Sequence, residues 1–103
     1  MDSEERVLRF YQKAGYEVLA QRVKTPFAEV DLLFKSPDGN ILMVEVKTAN
    51  LAEFHFYRIS QKQKNRLFRA MQFLACQFEV LVEIHWAFVT KEGKVTVIED
   101  ISG

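Results

Sequence analysis

The sequence predicts an α/β domain with a central mixed five-stranded sheet flanked by helices, in the order α-β-β-β-α-β-β. Three observations predict it. Residues 41–48, Ile-Leu-Met-Val-Glu-Val-Lys-Thr, are apolar on both faces until Glu45, the pattern of a central strand covered on both sides. Two other segments repeat apolar residues at helical spacing. The chain has 103 residues, is 49% hydrophobic and carries nine Phe, which suffices for one core without disulfides or a structural metal. No repeat or linker divides residues 1–103, so a single domain is expected.

The elements follow in order. A first helix is expected over residues 3–14, with Asp2 as N-cap, Glu5 three residues on, and Val7, Leu8, Tyr11 and Ala14 as one stripe. Gly15 ends it. Residues 16–23 read as a strand. Thr25-Pro26 interrupts it, since Pro has no N–H for a ladder, and residues 29–35 form the second strand. Ser36-Pro37-Asp38-Gly39-Asn40 is a turn, in which Pro fixes φ and Gly and Asn tolerate positive φ. Residues 41–48 are the third strand, and 49–58 an irregular connection holding three aromatic rings. A long second helix is expected over 60–76. Residues 79–90 and 94–99 complete the sheet as a hairpin around Glu92-Gly93.

Composition excludes several classes. The lone cysteine, Cys76, rules out an internal disulfide, and its neighbours Leu74, Ala75 and Phe78 predict a buried thiol. No basic start precedes an apolar stretch, so no secretory signal is read. The longest hydrophobic region, 80–89, is broken by Glu83 and His85 and is too short to span a bilayer. The expectation is a cytoplasmic protein with no membrane role and no small-molecule cofactor. His55 and His85 lack companions at metal-ligand spacing and receive no metal role. Formal charge is zero, from 14 basic and 14 acidic residues. The distribution is uneven, with five cations (Arg58, Lys62, Lys64, Arg66, Arg69) and no acid between residues 54 and 78. A solvated helix face explains that run by itself.

The residues that do not suit a covered strand carry the functional argument. Side chains alternate, so Met43, Glu45 and Lys47 share one face, where unpaired charge is costly unless it is bound to metal. A five-residue turn at 36–40 sets Lys35 opposite Ile41, Asp31 opposite Glu45 and Glu29 opposite Lys47. Two carboxylates facing each other repel, and a hard divalent cation, Mg2+ or Mn2+, would reverse that sign. Lys47 would then orient a water nucleophile or stabilise charge on a phosphate. A lone Glu45–Lys47 ion pair with Asp31 turned to solvent explains the same residues, and both readings stay open at this point.

The helices add candidates. Glu4 falls on the apolar stripe of the first helix and so leans toward the sheet, although an acid in a first turn also suits the helix dipole. Gln63 lies on the inward stripe of the second helix with Ile59, Leu67, Ala70, Met71 and Leu74, while Ser60-x-x-Gln63 equally fits a capping box. Lys62, Arg66 and Arg69 flank that stripe as a basic rim suited to phosphates.

Gly15-Tyr16, Pro26-Phe27-Ala28-Glu29-Val30-Asp31-Leu32-Leu33, Val44-Glu45-Val46-Lys47-Thr48, and Arg66-Leu67 with Ala70 and Leu74 together resemble the YraN-like bacterial proteins of the PD-(D/E)XK superfamily, which look similar to Holliday-junction resolvases. The resemblance runs from about Glu4 to Leu74 and more weakly through the last strands. It implies a restriction-endonuclease-like fold, with Asp31 and Glu45 as metal-binding carboxylates, Lys47 as the catalytic lysine and Glu4 as the helical acid. Gln63 stands where the family usually carries a lysine and other superfamily members a Gln. Ala28 and Ser3 stand where the family has Gly.

The implied function is Mg2+-dependent (or Mn2+-dependent) cleavage of DNA, including branched DNA, by metal-activated water attack on a phosphodiester. A two-fold junction substrate would fit a symmetric homodimer. A second reading keeps the fold and a nucleic-acid contact at Arg58, Lys62, Lys64, Arg66 and Arg69 without catalysis. A third is a non-enzymatic interaction protein using Phe54-His55-Phe56-Tyr57, although rings of this kind usually cap a core. Trp86, within a strand, is expected in the core.

Overall fold

The computed structural model describes residues 1–48 and 60–99. Helix α1 (Ser3–Lys13) begins where the Asp2 carboxylate accepts the Glu5 N–H at 2.8 Å, satisfying one orphan donor of the first turn. Strands β1 (Glu17–Lys24), β2 (Glu29–Lys35) and β3 (Ile41–Thr48) follow, then helix α2 (Gln61–Phe78), β4 (Val82–Val89) and β5 (Val95–Ile98). They form one sheet in the order β1-β2-β3-β4-β5. All neighbours are antiparallel except β3 and β4, which run parallel. A parallel pair needs a crossover connection, and the segment carrying α2 supplies it.

The turn at 36–40 closes as its residue types require. Gly39 has φ +89°, and the Ser36 hydroxyl accepts the Asn40 N–H at 3.0 Å. The resulting register pairs Lys35 with Ile41, Leu33 with Met43 and Leu32 with Val44, as the five-residue loop requires.

Strand β3 is central and covered on both faces. On one face α1 sets Val7 and Tyr11 against Leu32, Phe34, Leu42, Val44, Ala87 and Val89. On the other, α2 sets Leu67, Ala70 and Leu74 against Leu33, Met43, Ile84, Trp86 and Phe88. Each buried Leu or Phe contributes about 1.5–3 kcal/mol relative to exposure. The odd-numbered residues of β3 therefore face α2, and by alternation Glu45 and Lys47 do too.

Three expectations are corrected. Helix α2 continues to Phe78, and Glu79 is its left-handed cap (φ +56°), its N–H donating to the Ala75 carbonyl. Strand β4 therefore starts at Val82 rather than at 79. Cys76 is exposed, not buried. It lies two positions beyond Leu74, a rotation of about 200° around the helix, so apolar neighbours in sequence do not enclose it. Glu29 is not paired with Lys47, because the β2–β3 ladder ends at Leu32 and Val44 and the two strands have separated by that point. Among the described residues no helix is long and apolar enough to cross a membrane. Arg58, Ile59 and the aromatic run 54–57 lie outside the described residues.

Candidate functional site

The main-chain ladder between β2 and β3 stops at Leu32–Val44, one step before Asp31 and Glu45. Both strands continue, but the carboxylates take over from the ladder. The Asp31 N–H donates to Glu45 Oε1 at 3.2 Å, and Asp31 Oδ2 accepts the Val46 N–H at 2.8 Å. Each acid thereby satisfies a main-chain donor that the parting strands would leave unpaired.

A kink in the outer strands marks the same place. The β1–β2 register slips by one after Val18, a β-bulge. The new register leaves Arg22 opposite Asp31, and Arg22 has φ +52°, a left-handed conformation that costs a non-glycine residue about 1–2 kcal/mol. Past this point Val23 and Val30 turn to the α2 face, although Leu32 faces α1. The turn before β2 is fixed by Thr25, whose hydroxyl donates to the Ala28 carbonyl at 2.7 Å and accepts the N–H groups of Phe27 and Ala28.

Glu45 is only 6% exposed. Burial first, then the neighbouring Asp31 carboxylate, pushes its carboxyl from 4.5 up to about 7, against the opposing pull of the Asp31 N–H and Lys47. Lys47 stands on the same face with its ammonium 5.7 Å from the Trp86 ring centroid, within cation–π range. Arg22 is ion-paired with Glu4, and the His85 ring lies 3.7 Å from the Glu83 carboxylate. Neither touches Asp31 or Glu45, so the two acids face each other without a side-chain counter-ion in contact.

The remaining candidates are placed as follows. Glu4 pairs with Arg22 at 3.6 Å, and at the start of the same helix Ser3 Oγ lies 2.7 Å from Thr48 Oγ1 at the end of β3. Among the described residues no three His, Cys, Asp or Glu side chains gather closely enough to hold a metal, so Glu4 does not complete a three-carboxylate cluster. Gln63 is half-buried in the first turn of α2, where its N–H donates to the Ser60 hydroxyl at 3.1 Å. Lys62, Arg66 and Arg69 are exposed and Lys64 is half-buried.

Sequence reasoning missed two polar contacts. Tyr11 and His85 are buried and joined through the Tyr11 oxygen and His85 Nδ1 at 2.8 Å. Burial lowers the His85 pKa and raises that of Tyr11, so the hydroxyl donates to a neutral imidazole. Trp86 lies beneath Lys47 because β4 pairs with β3 in parallel register, Glu45 to Trp86 and Lys47 to Phe88. No short-range signal encodes that pairing.

Known proteins share the sequence and the fold of this chain. The chain is 32% identical over 104 residues to a UPF0102 protein of Roseobacter denitrificans, covering 97% of this chain and 80% of that one. It is 35% identical over 89 residues to a UPF0102 protein of Thermus thermophilus, covering 84% and 79%. Among solved structures it resembles Hjc, a Holliday junction resolvase of Archaeoglobus fulgidus, with TM-score 0.60 and 19% identity over 92% of this chain and 74% of that one. EndoMS, solved with double-stranded DNA, aligns with TM-score 0.50 and 18% identity over 88% of this chain and 38% of that one. At these identities the structural likeness is one of fold, and the fold is restriction-endonuclease-like. The family described as uncharacterised protein family UPF0102 matches residues 3–88, and the chain belongs to that YraN family.

Proposed function

We propose that this protein is a divalent-metal-dependent endonuclease acting on DNA, with Asp31, Glu45 and Lys47 at its centre. One observation carries the reading. Two carboxylates, one of them buried, interlock where β2 and β3 part, and no cation among the described residues is in contact with them. Such a pair repels itself when ionised.

The donor set fits a hard cation. Each carboxylate gives one oxygen to a main-chain N–H. Mg2+ is ordinarily held by one or two carboxylates, with water and substrate phosphate completing its shell, so a third protein acid is not required. Mg2+ or Mn2+ bound there would acidify water and neutralise charge on a phosphodiester. Lys47 places a positive charge on the same face, where it would stabilise charge developing on the phosphate. Glu4 is held by Arg22 and stays outside the carboxylate pair. The exposed cations Lys62, Arg66 and Arg69 recur at i, i+4 and i+7 and so form one stripe, suited to the DNA backbone. The likeness to a junction resolvase and to a DNA-bound endonuclease supports DNA as the substrate, including branched DNA.

The test compares wild type, Asp31→Asn and Lys47→Ala on labelled four-way junction, flap and linear duplex, with Mg2+, Mn2+ or EDTA. Wild type is expected to cut at least one substrate only with metal, and each variant to be slower by about 100-fold or more. Equal cleavage by all three proteins rejects the assignment. Salt-sensitive binding without turnover identifies a DNA-binding module with a silent site.

A further inference from the structure

We propose that the groove between α1 and the β4–β5 turn binds an unpaired nucleic-acid strand, separately from the carboxylate site. The groove is a cavity of about 690 Å3. Arg6, Arg9 and Lys13 line it from a single face of α1, and the lining holds no acid. Among the described residues none of these three cations is in an ion pair. Between them Phe10 is 43% exposed, and Val95 lines the opposite wall.

The groove depends on Gly93. Its φ is +88°, and a Cβ there would collide with the Arg6 guanidinium. The arginine is therefore seated on bare backbone in the β4–β5 turn. Arg6 is half-buried, while Arg9, Phe10 and Lys13 are exposed.

The mixture of linings selects the occupant. A duplex presents phosphates and sugars, which use the cations and leave Phe10 and Val95 uncovered. An unpaired strand uses both, with phosphates on the cations and a base on the exposed ring. Arg6 and Lys13 are seven helical residues apart, about 10 Å, a span suited to successive phosphates. The site is distinct from the carboxylate pair, because α1 packs on the sheet face opposite to that of Glu45 and Lys47. It lies toward the same end of the sheet, since Ser3 at the start of α1 meets Thr48 at the end of β3. Strand binding here does not require the carboxylates to cut.

The experiment is fluorescence anisotropy of labelled oligo-dT in EDTA, titrated with the full chain at several salt concentrations. Competitors are unlabelled oligo-dT and duplex of equal length. Wild type is expected to bind, with oligo-dT competing better than duplex. The double variant Arg9→Glu, Lys13→Glu is expected to bind at least about tenfold more weakly, its salt slope smaller by about 0.7 for each phosphate no longer neutralised. Phe10→Ala is expected to weaken binding about tenfold with the salt slope unchanged. Circular dichroism checks that these surface variants remain folded. Failure of wild type to bind at low salt, wild-type affinity in the variants, or equal competition by duplex would each overturn the proposal. Because EDTA silences metal-dependent chemistry, oligo-dT binding without junction cleavage counts against the nuclease reading alone. Cleavage without oligo-dT binding counts against the groove alone.

Discussion

Asp31 and Glu45 each hold the other's strand: the Asp31 N–H donates to Glu45 Oε1 at 3.2 Å, and the Asp31 carboxylate takes the N–H of Val46, next to Glu45, at 2.8 Å. The arrangement is strained when both acids are ionised, and the strain has a pH signature. With Glu45 raised from 4.5 to about 7, the native state holds a proton that the unfolded chain releases at lower pH. The Glu45 contribution to stability is then fully present below pH 4.5 and is lost as pH rises through about 7. The full loss is at most about 3 kcal/mol. Glu45→Gln keeps the acceptor and removes the charge. In EDTA it should be more stable than wild type at pH 8 by up to that amount, the gap closing near pH 5. Urea denaturation at the two pH values measures it, and equal stabilities at pH 8 would contradict the buried ionised pair.

Metal binding reverses the same repulsion. Mn2+ at a hundred times its Kd should stabilise wild type by about 2.7 kcal/mol. Its affinity should rise with pH up to about 7, because Glu45 must lose its proton to bind the ion. Asp31→Asn still offers an oxygen to the Val46 N–H, so it should fold while losing most of this metal response. Thermal melts with and without MnCl2 at pH 6, 7 and 8 read both effects. A wild-type shift matched in Asp31→Asn would place the metal elsewhere.

The Tyr11–His85 contact ties α1 to β4 through two buried groups. Tyr11→Phe leaves His85 Nδ1 without its donor and should cost about 1–3 kcal/mol. Pairing it with His85→Leu removes both polar partners, so the double variant should lose less than the sum of the singles. A double-mutant cycle by chemical denaturation gives the coupling; strict additivity would show that the bond contributes nothing.

Exposure of Cys76 predicts that the native protein reacts with DTNB without unfolding. Labelling that requires denaturant would return Cys76 to the core.

The central strand, the 36–40 turn and the buried helix positions Val7, Tyr11, Leu67, Ala70 and Leu74 were legible because each is written in local periodicity and turn chemistry, whereas Ala14, expected on the first stripe, is exposed at the helix end. The turn alone fixed the β2–β3 register and so brought Asp31 to Glu45. The parting of β2 from β3 was not legible. It accompanies the slipped β1–β2 register and Arg22 at positive φ, in a segment with no glycine to announce it. Trp86 beneath Lys47 and Tyr11 against His85 depend on the parallel β3–β4 register and on helix docking, which join residues far apart in the chain. Cys76 shows the reverse error, since apolar neighbours in sequence need not be neighbours around a helix.

The central claim is that Asp31 and Glu45 share one divalent cation. Crystals soaked in MnCl2 at pH 8 and measured at the manganese absorption edge test it most directly. The account predicts an anomalous peak bridging the two carboxylates, absent from Asp31→Asn crystals. Saturating manganese that leaves this position empty while the acids keep their main-chain bonds would contradict it.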